Sequence, residues 1–250
     1  MGLRALRLVL AYDGTAYYGW QVQPSQPTIQ GLLTDACQRL FRAPLRVVGA
    51  SRTDAGAHAL GQVASLVVES GLHPLAIRSA LNSSLPADIR VLAVAEAPAG
   101  FDGRRSALSK RYAYLIDNGP VPNPLLGRYA WHVAHPLDLT AMAGGLRLLR
   151  GKHDFSAFCA AAGRARTPTC TVYSGRLLAR RGVVAVVLSA DSFLHHMVRN
   201  VVGSLVEVGR GSRRPEWMAE LLLGRDRTRA GPTAPAHGLT LLRVTYPRPA

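Results

Sequence analysis

Asp54 is the residue of this chain best suited to acid–base or nucleophilic work. It is the lone carboxylate of residues 49–65, GASRTDAGAHALGQVAS, with Arg52 and Thr53 before it and Ala55, Gly56 and His58 after it. A loop of small residues lets a substrate approach the backbone closely. A nearby arginine would keep such a carboxylate ionised. The same residues also describe a turn, since Asp followed closely by Gly is ordinary turn chemistry.

Two other segments carry side chains with chemical potential. In FLHHMVRNVVGSLVEVG, residues 193–209, Leu194, Met197, Val198, Val201, Val202 and Leu205 recur at helical spacing. At about 100° per residue Arg199 falls roughly 60° beyond the edge of that stripe. There a side chain emerges from a core to face a cleft or solvent. In KRYAYLI, residues 110–116, Tyr112 and Tyr114 share one face of a strand. They are ordinary sheet aromatics, or a platform on which an extruded base could stack. The histidines do not read as metal ligands. His195 and His196 are adjacent and so are expected on different helix faces, and His58 and His153 have no ligand-spaced partner. Cys37, Cys159 and Cys170 are sparse and form no Cys-x-x-Cys pair, which fits a reducing cytoplasm. There is no P-loop or dinucleotide fingerprint, and Asp13-Gly14-Thr15 reads as a turn.

SRTDAGAHALGQ resembles the signature loop of the tRNA pseudouridine synthases of the TruA type, and HHMVRNVVGSL and KRYAYLI resemble two further segments of that family. The resemblance implies that Asp54 is the catalytic aspartate and that Arg199 pairs with it. It implies that Tyr112 lies against the target uracil and that Leu239, in His237-Gly238-Leu239, belongs to the apolar wall of the uracil pocket. Arg52 would fill the space left by a flipped-out base. Ser51 stands where the family has Gly, and Ala57 where it has Val. Neither change removes a reactive group, but Ser51 questions any backbone geometry that needs glycine. The implied substrate is tRNA, at positions 38 to 40 of the anticodon stem-loop. The implied assembly is a homodimer. The isomerisation neither oxidises anything nor donates a group, so no cofactor or metal is expected. Asp54 would act as a nucleophile or as a base at the ribose.

The elements that must position these residues alternate. Strands are expected at 3–12, 45–48, 62–68 and 89–95, with helices at 28–41 and 74–83; Thr28 is the N-cap of the first helix. That order is the split βαβ, or ferredoxin-like, arrangement. The second half varies it: strands at 111–116, 169–178, 183–189 and 239–246, helices at 139–149, 194–208 and 216–222. The expected fold is α+β, with two such subdomains, residues 1–105 and 106–250, and antiparallel sheets around a central basic cleft. Residues 159–166 read as a mobile loop.

Composition narrows the partner. The 250 residues carry 30 basic against 15 acidic side chains, a net charge of +15. Lys110 and Lys152 are the only lysines, so the charge is almost all arginine, suited to phosphate and to stacking on bases. GC-rich codon usage explains Arg over Lys but not the excess of base over acid. Nucleic acid is the expected partner, and the pairs Arg104-Arg105 and Arg213-Arg214 and the run 225–229 fall in loops where they can reach its backbone. No apolar run is long enough to span a bilayer. The first residues read as a strand, not a signal peptide, and Leu6 stands where a myristoylation signal needs Ser or Thr. The runner-up is a non-catalytic RNA-binding protein, which would gain nothing from a carboxylate beside phosphate. A metal-dependent nuclease would want clustered carboxylates, and Asp54 has no acidic neighbour in its motif.

Overall fold

Alternation in the first residues is realised as strand β1 (Leu3–Tyr12), whose Leu6, Leu8, Leu10 and Tyr12 turn inward. The structure is a computed structural model and describes residues 2–160 and 168–247. From residue 161 on, the expected loop at 159–166 lies outside the described residues. The chain forms two compact units: Met1–Leu108 with Leu241–Ala250, and Ser109–Thr240. The expected linear division between 105 and 106 differs from this in two respects: the first stretch runs on to Leu108, and the end of the last strand belongs with the first unit.

In the first unit, helix α1 (Ile29–Phe41) starts at Thr28, whose hydroxyl accepts the Gly31 N–H at 3.3 Å. Ile29, Leu33, Ala36 and Cys37 form its buried stripe. Strand β2 is only Val48–Gly49. Strand β3 runs His58–Glu69, and so begins well before the Val- and Leu-rich stretch that marked it in the sequence. Ala, Gly and His are poor strand formers, but pairing with β1, down to Tyr12 opposite Ala59, draws them into the sheet. Helix α2 (Pro74–Ser84) carries Pro in its first turn and buries Ile77 and Leu81. Strand β4 (Ile89–Ala97) completes the set. β1 pairs antiparallel with both β3 and β4, and β2 pairs antiparallel with β3. The resulting order β4-β1-β3-β2 is the split βαβ sheet.

In the second unit, strand β5 (Ser109–Asp117) pairs in parallel with a two-residue strand β6 (Trp131–His132), which has no sequence signature. Helix α3 (Leu139–Arg147) is capped by Asp138, whose carboxylate accepts the Thr140 and Ala141 N–H groups at 2.9 Å each. Strands β7 (Gly151–Asp154), β8 (Thr169–Arg180) and β9 (Val183–Ala190) follow. All their pairings are antiparallel, in the order β5-β9-β8-β7. β9 lies between β5 and β8 as β3 lies between β1 and β2, so the first unit's plan is repeated, with β7 added at the edge. Helix α4 (Met197–Gly209) is buried along most of its length and packs with α3, which also meets α5 (Trp217–Gly224). Strand β10 (Leu239–Thr245) begins in this unit and ends in the first. There the Leu108 N–H donates to Thr245 O at 2.8 Å, and the Tyr246 hydroxyl to Gly103 O at 2.6 Å. No described helix is long and apolar enough to cross a membrane.

Candidate active site

Residues 50–57 cross from β2 to β3, and Thr53 anchors the middle of that crossing. Thr53 is buried; its carbonyl accepts the Trp20 N–H at 3.0 Å, and its hydroxyl lies 2.8 Å from Tyr12 Oη. With Thr53 pinned, Arg52 on one side is exposed and Asp54 on the other is half-buried. The Ala57 N–H closes a turn onto Asp54 O at 3.1 Å. Gly56 occupies the third place of that turn at φ 79°, a left-handed conformation that favours glycine. Asp54 is therefore a turn residue and a presented carboxylate at once; the two readings do not compete.

Gln62 sets the start of the loop. It is fully buried. Its Oε1 accepts the Ser51 and Val63 N–H groups, each at 3.2 Å, and its Nε2 donates to Ser51 O at 2.7 Å and to Tyr12 Oη at 3.3 Å. That uses the whole capacity of an amide side chain. Sequence reasoning missed Gln62; its only signal was one amide inside an otherwise apolar strand. Ser51 does not lie at positive φ, so the backbone here has no need of the family's glycine. His58 is a satisfied structural histidine: it is buried, and its Nδ1 accepts the Gly14 N–H at 3.0 Å.

The second unit holds Tyr112, Arg199 and Leu239. Tyr112 is buried on β5, and its ring meets Phe193 edge-on at 5.1 Å. Tyr114 shares that face, and its hydroxyl donates to Pro235 O at 2.7 Å. Burial pushes the Tyr114 phenol up, while the Arg199 charge pulls it down. Arg199 is half-buried at the border of the α4 stripe, where its angle on the helix places it. Its Nε donates to Ala234 O at 2.7 Å, and its own carbonyl accepts the Ala234 N–H at 3.2 Å. Leu239 is buried at the start of β10.

The expected placing of His195 and His196 on different helix faces needs correction. His196 sits at φ 61°, so α4 starts only at Met197 and neither residue follows helical geometry. Their rings lie 3.9 Å apart, tilted by 35°. The arginine clusters also divide. Arg104 and Arg105 are exposed, with Asp102 bound to their backbone N–H groups. Arg213 lies over Trp217 at 5.1 Å. Arg225 pairs with Asp154 at 3.3 Å, and Arg227 turns inward rather than toward a ligand's backbone. Burial pushes the Cys37 thiol up to about 12, which suits a core residue and not a nucleophile.

Residues 8–102 and 146–247 match the sequence model of a family described as tRNA pseudouridine synthase. The chain belongs to that family. Relatives over nearly its whole length carry the name tRNA pseudouridine synthase A. The one from Syntrophotalea carbinolica is 43% identical over 98% of this chain and 97% of its own. The one from Myxococcus xanthus is 44% identical over 96% and 91%, and the one from Frankia casuarinae 44% identical over 98% and 90%. The synthase is thus an isomerase by family. Arg52, Asp54, Arg199 and Leu239 fall inside the two matched stretches, and Tyr112 falls between them.

Proposed function

We propose that this synthase converts uridine to pseudouridine at positions 38, 39 and 40 of the tRNA anticodon stem-loop, with Asp54 as its catalytic carboxylate. The observation that carries the reading is the family match, whose first stretch contains a half-exposed Asp54 between buried anchors. In the reaction the bond from ribose C1′ to uracil N1 breaks, the base turns, and C1′ joins C5. C5 loses its proton and N1, freed from the ribose, gains one, so atoms balance without a cofactor or metal. A base inside a stem is out of reach of a loop carboxylate, so the nucleotide must flip out.

The roles follow from side-chain chemistry. Asp54 acts on the nucleoside in one of two ways, as a nucleophile that forms an ester or as a base at the ribose. Arg199 pairs with Asp54 and orients it; its stem is already fixed by Ala234. Tyr112 stacks on the uracil, Leu239 forms part of the apolar wall that retains the detached base, and Arg52 fills the gap in the stem. The enzyme acts in the cytoplasm as a homodimer, which sedimentation equilibrium would test.

Incubation with tRNA tritiated at uridine C5, with a chelator present, tests the activity itself. Tritium released in proportion to the uridines at these three positions is the expected result. Tight tRNA binding with no release would favour a non-catalytic RNA-binding protein. Release restored only by a divalent ion would overturn the metal-free reaction.

A further inference from the structure

Arg227 reads in the sequence as part of a basic run exposed for nucleic acid. Its side chain is instead spent inside the second unit. Nη1 donates to Gly231 O at 3.0 Å, and Nη2 donates to Asn200 Oδ1 at 3.1 Å and to Thr233 Oγ1 at 3.0 Å. The Thr233 hydroxyl in turn donates to Asn200 Oδ1 at 2.7 Å, which closes a triangle. Asn200 is fully buried on α4 and uses its amide to donate to Phe158 O at 2.7 Å.

These bonds strap residues 230–235 along α4. The Gly231 N–H donates to Ser204 Oγ at 3.0 Å, and that hydroxyl donates to Asn200 O at 2.9 Å. At Gly203 a side-chain carbon would come within 1.7 Å of Pro232 O, so strap and helix touch backbone to backbone. The far end of the strap carries the contacts to the candidate site: Ala234 clasps Arg199 through its N–H and its carbonyl, and Pro235 accepts the Tyr114 hydroxyl.

We infer that Arg227 is a positioning residue for Arg199, acting through Asn200, Thr233 and the strap and not through RNA. The inference rests on the proposed pairing of Arg199 with Asp54. A guanidinium that closes three bonds at the base of a short strap fixes where Ala234 O stands, and hence where Arg199 points. Displacement of a site group by about 1 Å from a distance costs up to roughly 100-fold in rate.

Single-turnover tritium release with full-length tRNA, enzyme in excess, separates the rate at saturation from the half-saturating concentration. Arg227→Ala is expected to lower the saturated rate by roughly 10- to 100-fold. It should leave the half-saturating concentration and its salt dependence as in wild type. Arg227→Lys should recover part of the rate, since an ammonium still reaches one or two of the acceptors. In an Arg199→Ala background, Arg227→Ala should have almost no further effect. Undiminished loss in that background would overturn the inference. So would a weakened, less salt-dependent binding with a normal saturated rate, which would make Arg227 an RNA contact. If Arg227→Ala does not fold, Thr233→Val opens the same triangle at near-constant volume and must show the same non-additivity. A normal rate in Arg199→Ala alone would overturn the pairing and this inference together. A severe loss there with a normal rate in both Arg227→Ala and Thr233→Val would overturn this inference only.

Discussion

Asp54→Asn keeps the volume and the turn at Ala55–Gly56 while removing the charge. It is expected to lower turnover by at least about 10²-fold with tRNA affinity nearly unchanged, as measured by tritium release beside anisotropy. Near-normal release would displace Asp54 from the chemistry. Tyr112 separates two functions: Tyr112→Phe keeps the stacking face, whereas Tyr112→Leu loses about 1–3 kcal/mol of base stacking. Parallel loss in both variants would mean that the hydroxyl moves a proton, and wild-type rates in both would remove Tyr112 from the site. Asp54 and Arg199 were singled out as candidates in the sequence because each sits in a long local string. Gln62 and Arg227 were not. The meaning of each lies in partners brought from elsewhere in the chain, Tyr12 and Ser51 for one, Asn200 and Thr233 for the other. A charge count reads Arg227 as surface, whereas only the fold supplies the buried acceptors that draw it in.

Helices were easier to place than strands because periodicity and caps are local, as at Thr28 and Pro74. The start of β3 and the whole of β6 depend on their neighbours, and nothing in their own composition announces them. Asp191 links elements in a way that pH can probe. Its carboxylate accepts the Thr171 N–H and the Ser192 hydroxyl, each at 3.0 Å, tying the end of β9 to the start of β8. Burial alone would raise its pKa; the hydrogen bonds from Thr171 and Ser192 outweigh that and hold it below the usual carboxylate value. A folded pKa below the unfolded one gives stability that is complete above the unfolded value of about 3.9 and is lost as pH falls through the folded value. Thermal melts should therefore show Asp191→Asn less stable than wild type at neutral pH, with the difference closing in acid. A constant difference across that range would mean that the ionised carboxylate is not what holds the junction.

The net charge of +15 belongs to the molecule as a whole. Binding of an anticodon stem-loop should weaken with salt, log K against log[salt] sloping by about −0.7 to −0.9 for each phosphate neutralised. Arg104, Arg105 and Arg213 are the arginines to remove, each lowering the slope if it meets a phosphate. A flat salt response would point to a small nucleoside substrate instead.

The return of β10 to the first unit has a consequence for synthesis. A ribosome must release everything up to Thr245 before the first unit can finish its sheet, whereas the second unit is one uninterrupted stretch complete at Thr240. At roughly 5–20 residues per second the N-terminal strands wait many seconds for a partner that is among the last things made. β10 lies beside β3, with Leu242 at Gly61, beyond the reach of the two-residue β2 opposite Ala64 and Ser65; until β10 is made, that stretch of β3 is an open edge, a template for the wrong strand. A nascent chain stalled before Leu241 should accordingly show protease-resistant 109–240 and protease-sensitive 1–108. Resumed synthesis through Thr245 should protect both.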